Sequence, residues 1–203
     1  MGDNATLVYG KERPQNLGRF KAVVSPLSFL QVNDKVRDAI YDDVSAHIGG
    51  DFDGEIVELY SGVGLLTAQI ALRLPKAKIT AVEIVPEATK DADVLMRNLA
   101  LDNVTNICAD AAKYVDEIKD DNTHRVLILD PPRKGCDERV LDKAKAAGFE
   151  RIIYVSCNPQ TLARDLKTLA TDYKIDYIKP YDMFPQTHHV ETVIRLSRSD
   201  MNS

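Results

Sequence analysis

The stretch Glu58-Leu59-Tyr60-Ser61-Gly62-Val63-Gly64-Leu65-Leu66-Thr67 decides the fold of this 203-residue chain. Glu55 to Tyr60 reads as a strand, the two glycines as a tight turn, and Leu65 to Leu74 as a helix. A glycine-rich strand-to-helix loop lets a ligand approach backbone amides, because no side chain stands in the way. The G-x-G spacing lacks the third glycine of the dinucleotide fingerprint, which disfavours a nicotinamide oxidoreductase. Lys78 to Glu83 then reads as a second strand ending in an acid. Glu83 lies 21 residues beyond Gly62, where an acidic side chain meets ribose hydroxyls in doubly wound folds. Loop and acid together point to an adenosine-type cofactor.

Working outward, apolar runs and breakers predict helices over 34–47, 64–73, 87–101, 111–118, 137–147 and 160–170. Strands are expected over 55–60, 78–83, 104–107, 125–130, 151–156, 174–179 and 190–197. This alternation calls for an α/β fold: a mostly parallel seven-stranded sheet with helices on both faces. No helix separates the last two strands, so the final one is expected to insert antiparallel. The run 49–54 is a turn between the first helix and the sheet.

Three further segments carry chemistry. In Arg125-Val126-Leu127-Ile128-Leu129-Asp130-Pro131-Pro132-Arg133-Lys134-Gly135, a strand delivers an acid and two prolines end the ladder. Val155-Ser156-Cys157-Asn158-Pro159 sets a thiol between a strand and a helix, with Asn158 suited to the N-cap and Pro159 to the first turn. The positive helix end is expected to favour thiolate and draw the Cys157 pKa below its free value of about 8.5. Asp182-Met183-Phe184-Pro185-Gln186-Thr187-His188-His189-Val190-Glu191 brings an acid, a candidate general base, to the start of the last strand. His188 and His189 have no carboxylate or cysteine at ligand spacing, so hydrogen bonding around the loop is expected of them rather than metal binding.

Together these segments resemble the RNA uracil-5-methyltransferases, which make 5-methyluridine in tRNA or ribosomal RNA with S-adenosylmethionine. The resemblance runs from about Leu7 to Arg198, and includes Phe29-Leu30-Gln31-Val32-Asn33. The Ser-Cys-Asn-Pro-x-Thr-Leu-Ala-Arg-Asp stretch and Asp-Met-Phe-Pro-x-Thr-x-His-Val-Glu carry it most specifically. It implies a Rossmann-like S-adenosylmethionine-dependent methyltransferase fold, with Cys157 as nucleophile and Glu191 as base. It also implies that Gln31, Tyr60, Glu83 and Asp130 contact the cofactor and that Asp110 meets the adenine. Ser61 and Leu65 stand where the family often carries a cysteine and an asparagine.

Two rival readings fit less well. A purine amino-methyltransferase uses an acid-Pro-Pro-aromatic loop, whereas the fourth residue here is Arg133; a DNA cytosine-5 enzyme puts its cysteine after the proline, not before it. A non-catalytic cofactor- or RNA-binding module would retain the glycine loop but have no need of both Cys157 and Glu191.

Family members usually carry an oligonucleotide-binding barrel and a further RNA-binding region ahead of this domain. Residues 1–33, with Tyr9, Gly10 and Phe20 to Val24, look like the β-rich end of that region, and 34–203 like the catalytic domain. On this reading the chain is a catalytic domain alone, excised or naturally short. Some relatives hold an iron–sulfur cluster through four cysteines; Cys108, Cys136 and Cys157 are too few and too scattered for one. The formal net charge of −5 argues against a self-sufficient RNA binder. Basic residues do gather near the expected site as Arg133, Lys134, Arg164 and Lys167, and at the N-terminus as Lys11, Arg13, Arg19 and Lys21. Three scattered cysteines and the absence of a long apolar run suit a cytoplasmic protein without a membrane span.

Overall fold

The computed structural model describes residues 15–22, 24, 33–118, 124–187 and 190–199. Gln31, His188 and His189 lie outside the described residues. A short hairpin, β1 (Gln15–Leu17) and β2 (Phe20–Ala22), comes first, then α1 (Asp34–Ile48). The alternating series follows as β3 (Glu55–Leu59), α2 (Leu65–Arg73), β4 (Lys78–Glu83), α3 (Pro86–Asn98), β5 (Val104–Cys108) and α4 (Ala111–Tyr114). It continues with β6 (Arg125–Leu129), α5 (Glu138–Ala146), β7 (Arg151–Ser156) and α6 (Pro159–Leu169), and ends in β8 (Tyr173–Tyr181) and β9 (Glu191–Arg198).

The seven long strands form one sheet in the order β5-β4-β3-β6-β7-β9-β8. All are parallel except β9, which runs antiparallel to both β7 and β8. Strand β6 is buried at every position and β7 nearly so, as a sheet covered by helices on both faces requires. One face packs Leu59, Leu127, Tyr154 and Ile194 under α5 and α6, and the other packs Ile56, Ile128, Ile153 and Val193 under α1 and α2. The hairpin joins the helices: Leu17 and Phe20 pack with Leu65, Leu95 and Met96, and Arg19 pairs with Asp38 and Asp42.

Two expected elements differ in shape. The 111–118 helix is α-helical for only four residues and tightens into a 3-10 turn over Val115–Glu117. Asp116 and Glu117 fall at its C-terminal end, where negative charge opposes the helix dipole. Strand β3 stops at Leu59, because Tyr60 takes a left-handed backbone (φ 67°).

The carboxyl ends of the parallel strands all lie along one edge. Between β3 and β6 the strand order reverses, and that crevice is where open α/β sheets hold ligands. Antiparallel β9 brings its beginning to the same edge: Thr192 pairs with Ser156. Glu191 and Cys157 are thereby set side by side although 34 residues separate them in the chain.

Candidate active site

A cleft of about 680 Å³ opens at this edge, and every described site residue expected from the sequence lines it: Tyr60, Glu83, Asp110, Asp130, Cys157 and Glu191. Its first half is built from backbone. The amides of Tyr60 and Ser61 both donate to the Val82 carbonyl, at 2.9 and 3.1 Å, tying the loop to β4. Gly64 (φ 78°) needs to be glycine twice over, for its backbone and because a Cβ would come within 3.0 Å of Ala92 and Met96 on α3. At Gly62 (φ 56°) a Cβ would meet nothing within 4 Å, so the loop leaves open space there.

Glu83 closes this half. One carboxylate oxygen accepts the Gly62 amide at 2.9 Å and the other the Val85 amide at 2.8 Å. The Gly62 amide is therefore engaged by Glu83 rather than left open for a ligand, a correction to the reading of the loop as bare amides. The carboxylate in turn is oriented by two fixed donors. Asp110 caps α4 by accepting from the Ala112 amide at 2.8 Å.

The second half is built from side chains. Asp130 follows β6, Cys157 follows β7 and Glu191 opens β9. Burial and the neighbouring Glu191 push the Asp130 carboxyl up to about 7. The Cys157 thiol is also raised, by burial first and then by the negative charges of Glu191 and Asp130; Arg133 works in the opposite direction. The expected lowering by the helix end is thus overturned: burial first, and then two carboxylates, push the thiol upward.

Beneath Asp130 lies a layer that sequence reasoning missed. Glu58 is buried on β3, accepts the Thr67 hydroxyl at 2.7 Å, and is pushed by burial up to about 8. Tyr41 of α1 lines the cleft in the electrostatic reach of both Asp130 and Glu58. The sequence signal was present in Glu58 itself, an acid set between the apolar Val57 and Leu59 inside the strand.

The motif after the thiol has a structural explanation. Asn158 caps α6 through the Gln160 amide at 3.0 Å and donates its side-chain amide to the Arg133 carbonyl at 3.1 Å. Thr161 donates to the same carbonyl at 3.2 Å, and Arg164 to the Lys134 and Cys136 carbonyls at 3.0 and 3.3 Å. Arg164, grouped above with basic residues near the site, is a clamp on the double-proline loop.

An open sheet with a glycine loop after its first long strand, an acid ending the next and a cleft at the switch point has a Rossmann-like methyltransferase architecture. The chain belongs to the tRNA (uracil-5-)-methyltransferase family, whose model matches residues 19–199. An uncharacterized RNA methyltransferase of Bacillus cereus is 39% identical over 203 residues, covering 97% of this chain and 43% of its own length. One from Clostridium tetani is 37% identical over 204 residues, with 98% and 43% covered. The chain thus spans less than half the length of these curated relatives. Among solved structures, the Pyrococcus abyssi tRNA (uracil-54, C5)-methyltransferase in complex with S-adenosyl-L-homocysteine superposes with a TM-score of 0.78. It is 31% identical, with 93% of this chain and 45% of that chain covered. M. jannaschii TYW2 in complex with AdoMet, at 20% identity and a TM-score of 0.65, shares the fold. Among the described residues no helix is long and apolar enough to cross a membrane.

Proposed function

We propose that this chain methylates carbon 5 of a uridine in structured RNA, with S-adenosylmethionine as methyl donor and a covalent adduct at Cys157. The observation that carries the reading is the pairing of β9 with β7, which sets Cys157 and Glu191 together at the edge that also holds the glycine loop.

The cleft fits the cofactor. Its volume lies within the range of about 300–1,000 Å³ of small-molecule sites. Glu83 offers an oriented carboxylate for ribose hydroxyls, and Asp110 and Tyr60 stand on the same wall. Gln31, by family resemblance, and Asp130 complete the proposed set. When bound, S-adenosylmethionine supplies an electrophilic methyl group, which carbon 5 of the activated ring accepts.

Carbon 5 of uracil is a poor nucleophile, and the chain's own residues supply the activation. The Cys157 thiol gives its proton to Asp130 or to solvent, leaving Glu191 ionised, and its sulfur bonds to carbon 6. The ring electrons move onto the carbon 4 oxygen as an enolate, making carbon 5 nucleophilic. After methylation, Glu191 takes the carbon 5 proton, the 5,6 double bond re-forms, and the carbon–sulfur bond breaks to release the thiolate. The target base has to leave its stack to reach the thiol, costing a few kcal/mol and favouring loops over duplex.

Residues 34–203 are proposed as the catalytic domain and 1–33 as a lead-in associated with RNA binding, in a cytoplasmic protein. A purine amino-methyltransferase remains disfavoured because Arg133 stands where that class stacks an aromatic on the base. The decisive experiment maps 5-methyluridine in tRNA and ribosomal RNA from cells lacking the gene. Loss at one uridine, restored by native protein but not by Cys157→Ala, is the expected result. An unchanged map would overturn the proposal.

A further inference from the structure

Among the described residues, three aromatic side chains line the cleft: Tyr41, Tyr60 and Phe184. Tyr41 comes from α1 and Tyr60 from the glycine loop, each with a hydroxyl. Phe184 comes from the loop between β8 and β9 and offers only a ring. That loop springs from the paired residues Tyr181 and Glu191, so Phe184 is carried on the same hairpin end as the acid beside the thiol.

The loop is held by its own bonds. The Met183 amide donates to the Tyr181 carbonyl at 3.1 Å, and the Met183 side chain is buried in the core with Val155 and Val193. Asn33, the N-cap of α1, reaches the Met183 carbonyl with its side-chain amide at 3.4 Å. The Phe184 carbonyl accepts twice, from the Thr187 amide at 3.1 Å and the Thr187 hydroxyl at 2.8 Å. Gln186 turns the chain with a left-handed backbone (φ 69°), which persists in a non-glycine residue only where the surroundings over-determine it. The backbone on both sides of Phe184 is therefore fixed. Met183 goes into the core, while Phe184 stays half-buried in the wall of the cleft.

An extruded uracil has lost its stacking neighbours, and Asp130, Cys157 and Glu191 do not replace them. They offer charge, hydrogen bonds and a sulfur, but no flat apolar surface. The sulfur bonds to carbon 6 across the face of the ring, so the ring has to be held in one plane as it does so. An aromatic side chain supplies that plane, because every base has a face to stack. We propose that Phe184 is a substrate-binding residue, the platform on which the target uracil stacks while Cys157 adds to carbon 6. Phe184 moves no proton; its action is to hold the base. The inference rests on the uridine reading above.

The test exploits the absence of tryptophan from the chain. Phe184→Trp keeps a ring at the position and gives the full 203-residue chain a single indole to follow by fluorescence. The RNA is the tRNA or ribosomal fragment that holds the mapped uridine, transcribed with 5-fluorouridine and supplied with S-adenosylmethionine. Indole emission should fall as the adduct forms and stay unchanged on S-adenosylhomocysteine alone. Phe184→Leu, apolar but without a ring, should lower kcat/KM for adduct formation about five- to fiftyfold, the scale of one lost base–aromatic stack. Its S-adenosylhomocysteine affinity by calorimetry and its melting temperature should remain close to native, and Phe184→Tyr should restore most of the rate. A side chain that only filled the core would lower the melting temperature in Phe184→Leu without this selective loss. An indole that ignores the adduct, an indole that answers to S-adenosylhomocysteine instead, or a native rate in Phe184→Leu would each overturn the proposal. A native chain that forms no adduct would overturn the uridine reading, and the platform with it.

Discussion

The two halves of the cleft are made by different means. The cofactor half is short-range and backbone-rich: a turn of two glycines, two amides on the Val82 carbonyl, and Glu83 reaching back 21 residues to the Gly62 amide. The other half gathers Asp130, Cys157 and Glu191 from the ends of three strands, and side chains at the start of α6 clamp the Arg133 and Lys134 carbonyls in the loop after Asp130. The contrast teaches that the loop half of the cleft is encoded locally, whereas the grouping of Asp130, Cys157 and Glu191 depends on strand order. A cofactor site of this kind can be damaged by one residue in the loop. The proposed reactive group would fail when any of three distant elements is displaced.

The contrast is broken most sharply at the reacting atoms. Cys157→Ala should be inactive and give no protein–RNA adduct. Glu191→Gln should lose about 10²–10⁴ in turnover, the usual contribution of a general base, while accumulating an adduct that survives denaturing electrophoresis. RNA containing 5-fluorouridine should trap the native protein at the same stage, since fluorine does not leave as a proton. An adduct persisting in Cys157→Ala would remove that residue from the mechanism, and normal turnover in Glu191→Gln would move the base elsewhere.

On the other side of the cleft, Glu83→Ala should weaken S-adenosylhomocysteine binding by about 1.5–3 kcal/mol, the scale of a charge-assisted hydrogen bond. Equal affinity in native and variant chains by calorimetry would refute the role of the acid.

The layer beneath the cleft sharpens the comparison through stability. Glu58 has a folded pKa of about 8 against 4.5 for an ordinary glutamate. Between those values the folded chain holds a proton that the unfolded chain releases, so stability falls as pH rises across the window and levels off above about 8. Glu58→Gln keeps an acceptor for Thr67 without the charge. Denaturant melts at pH 5 and pH 8 should show the variant gaining relative to native at the higher pH, by about 1–2 kcal/mol. The same gain at both values would refute the assignment.

The smallest effect concerns the thiol. Because burial, Glu191 and Asp130 raise the Cys157 pKa, alkylation of that residue by iodoacetamide should climb at higher pH than for a free cysteine. Glu191→Gln should shift the profile back toward lower pH by removing one negative neighbour. Peptide mass spectrometry of the alkylated chain reads both, and an unshifted profile in Glu191→Gln would deny the coupling.

Much of this was legible in the residues. The strands 78–83 and 151–156 match residue for residue, and the antiparallel last strand follows from the missing helix between β8 and β9. The six described site residues converge as expected because strand ends are marked locally, by an acid, a glycine pair or a proline. Left-handed Tyr60 was not legible, since nothing adjacent favours that backbone over continued strand. The Cys157 shift was misread for a related reason: the helix end is visible in the neighbouring residues, while the burial of the thiol and the opposing carboxylates at positions 130 and 191 come from distant parts of the chain. Arg164 and Asp165 look like ordinary helix charges until the double-proline loop is seen folded over them.

The antiparallel insertion of β9 also bears on synthesis. The ribosome completes β3 to β7, the glycine loop and the thiol before Glu191 emerges, and domains assemble as they are made. On the proposed mechanism, a nascent chain that has reached β8 therefore possesses its nucleophile and lacks its base. It also leaves β7 with an uncovered edge that only β9 fills. On the same mechanism, a partly made chain that had methylated a captured uridine would lack the group that removes the carbon 5 proton, whereas an unmethylated adduct would simply reverse.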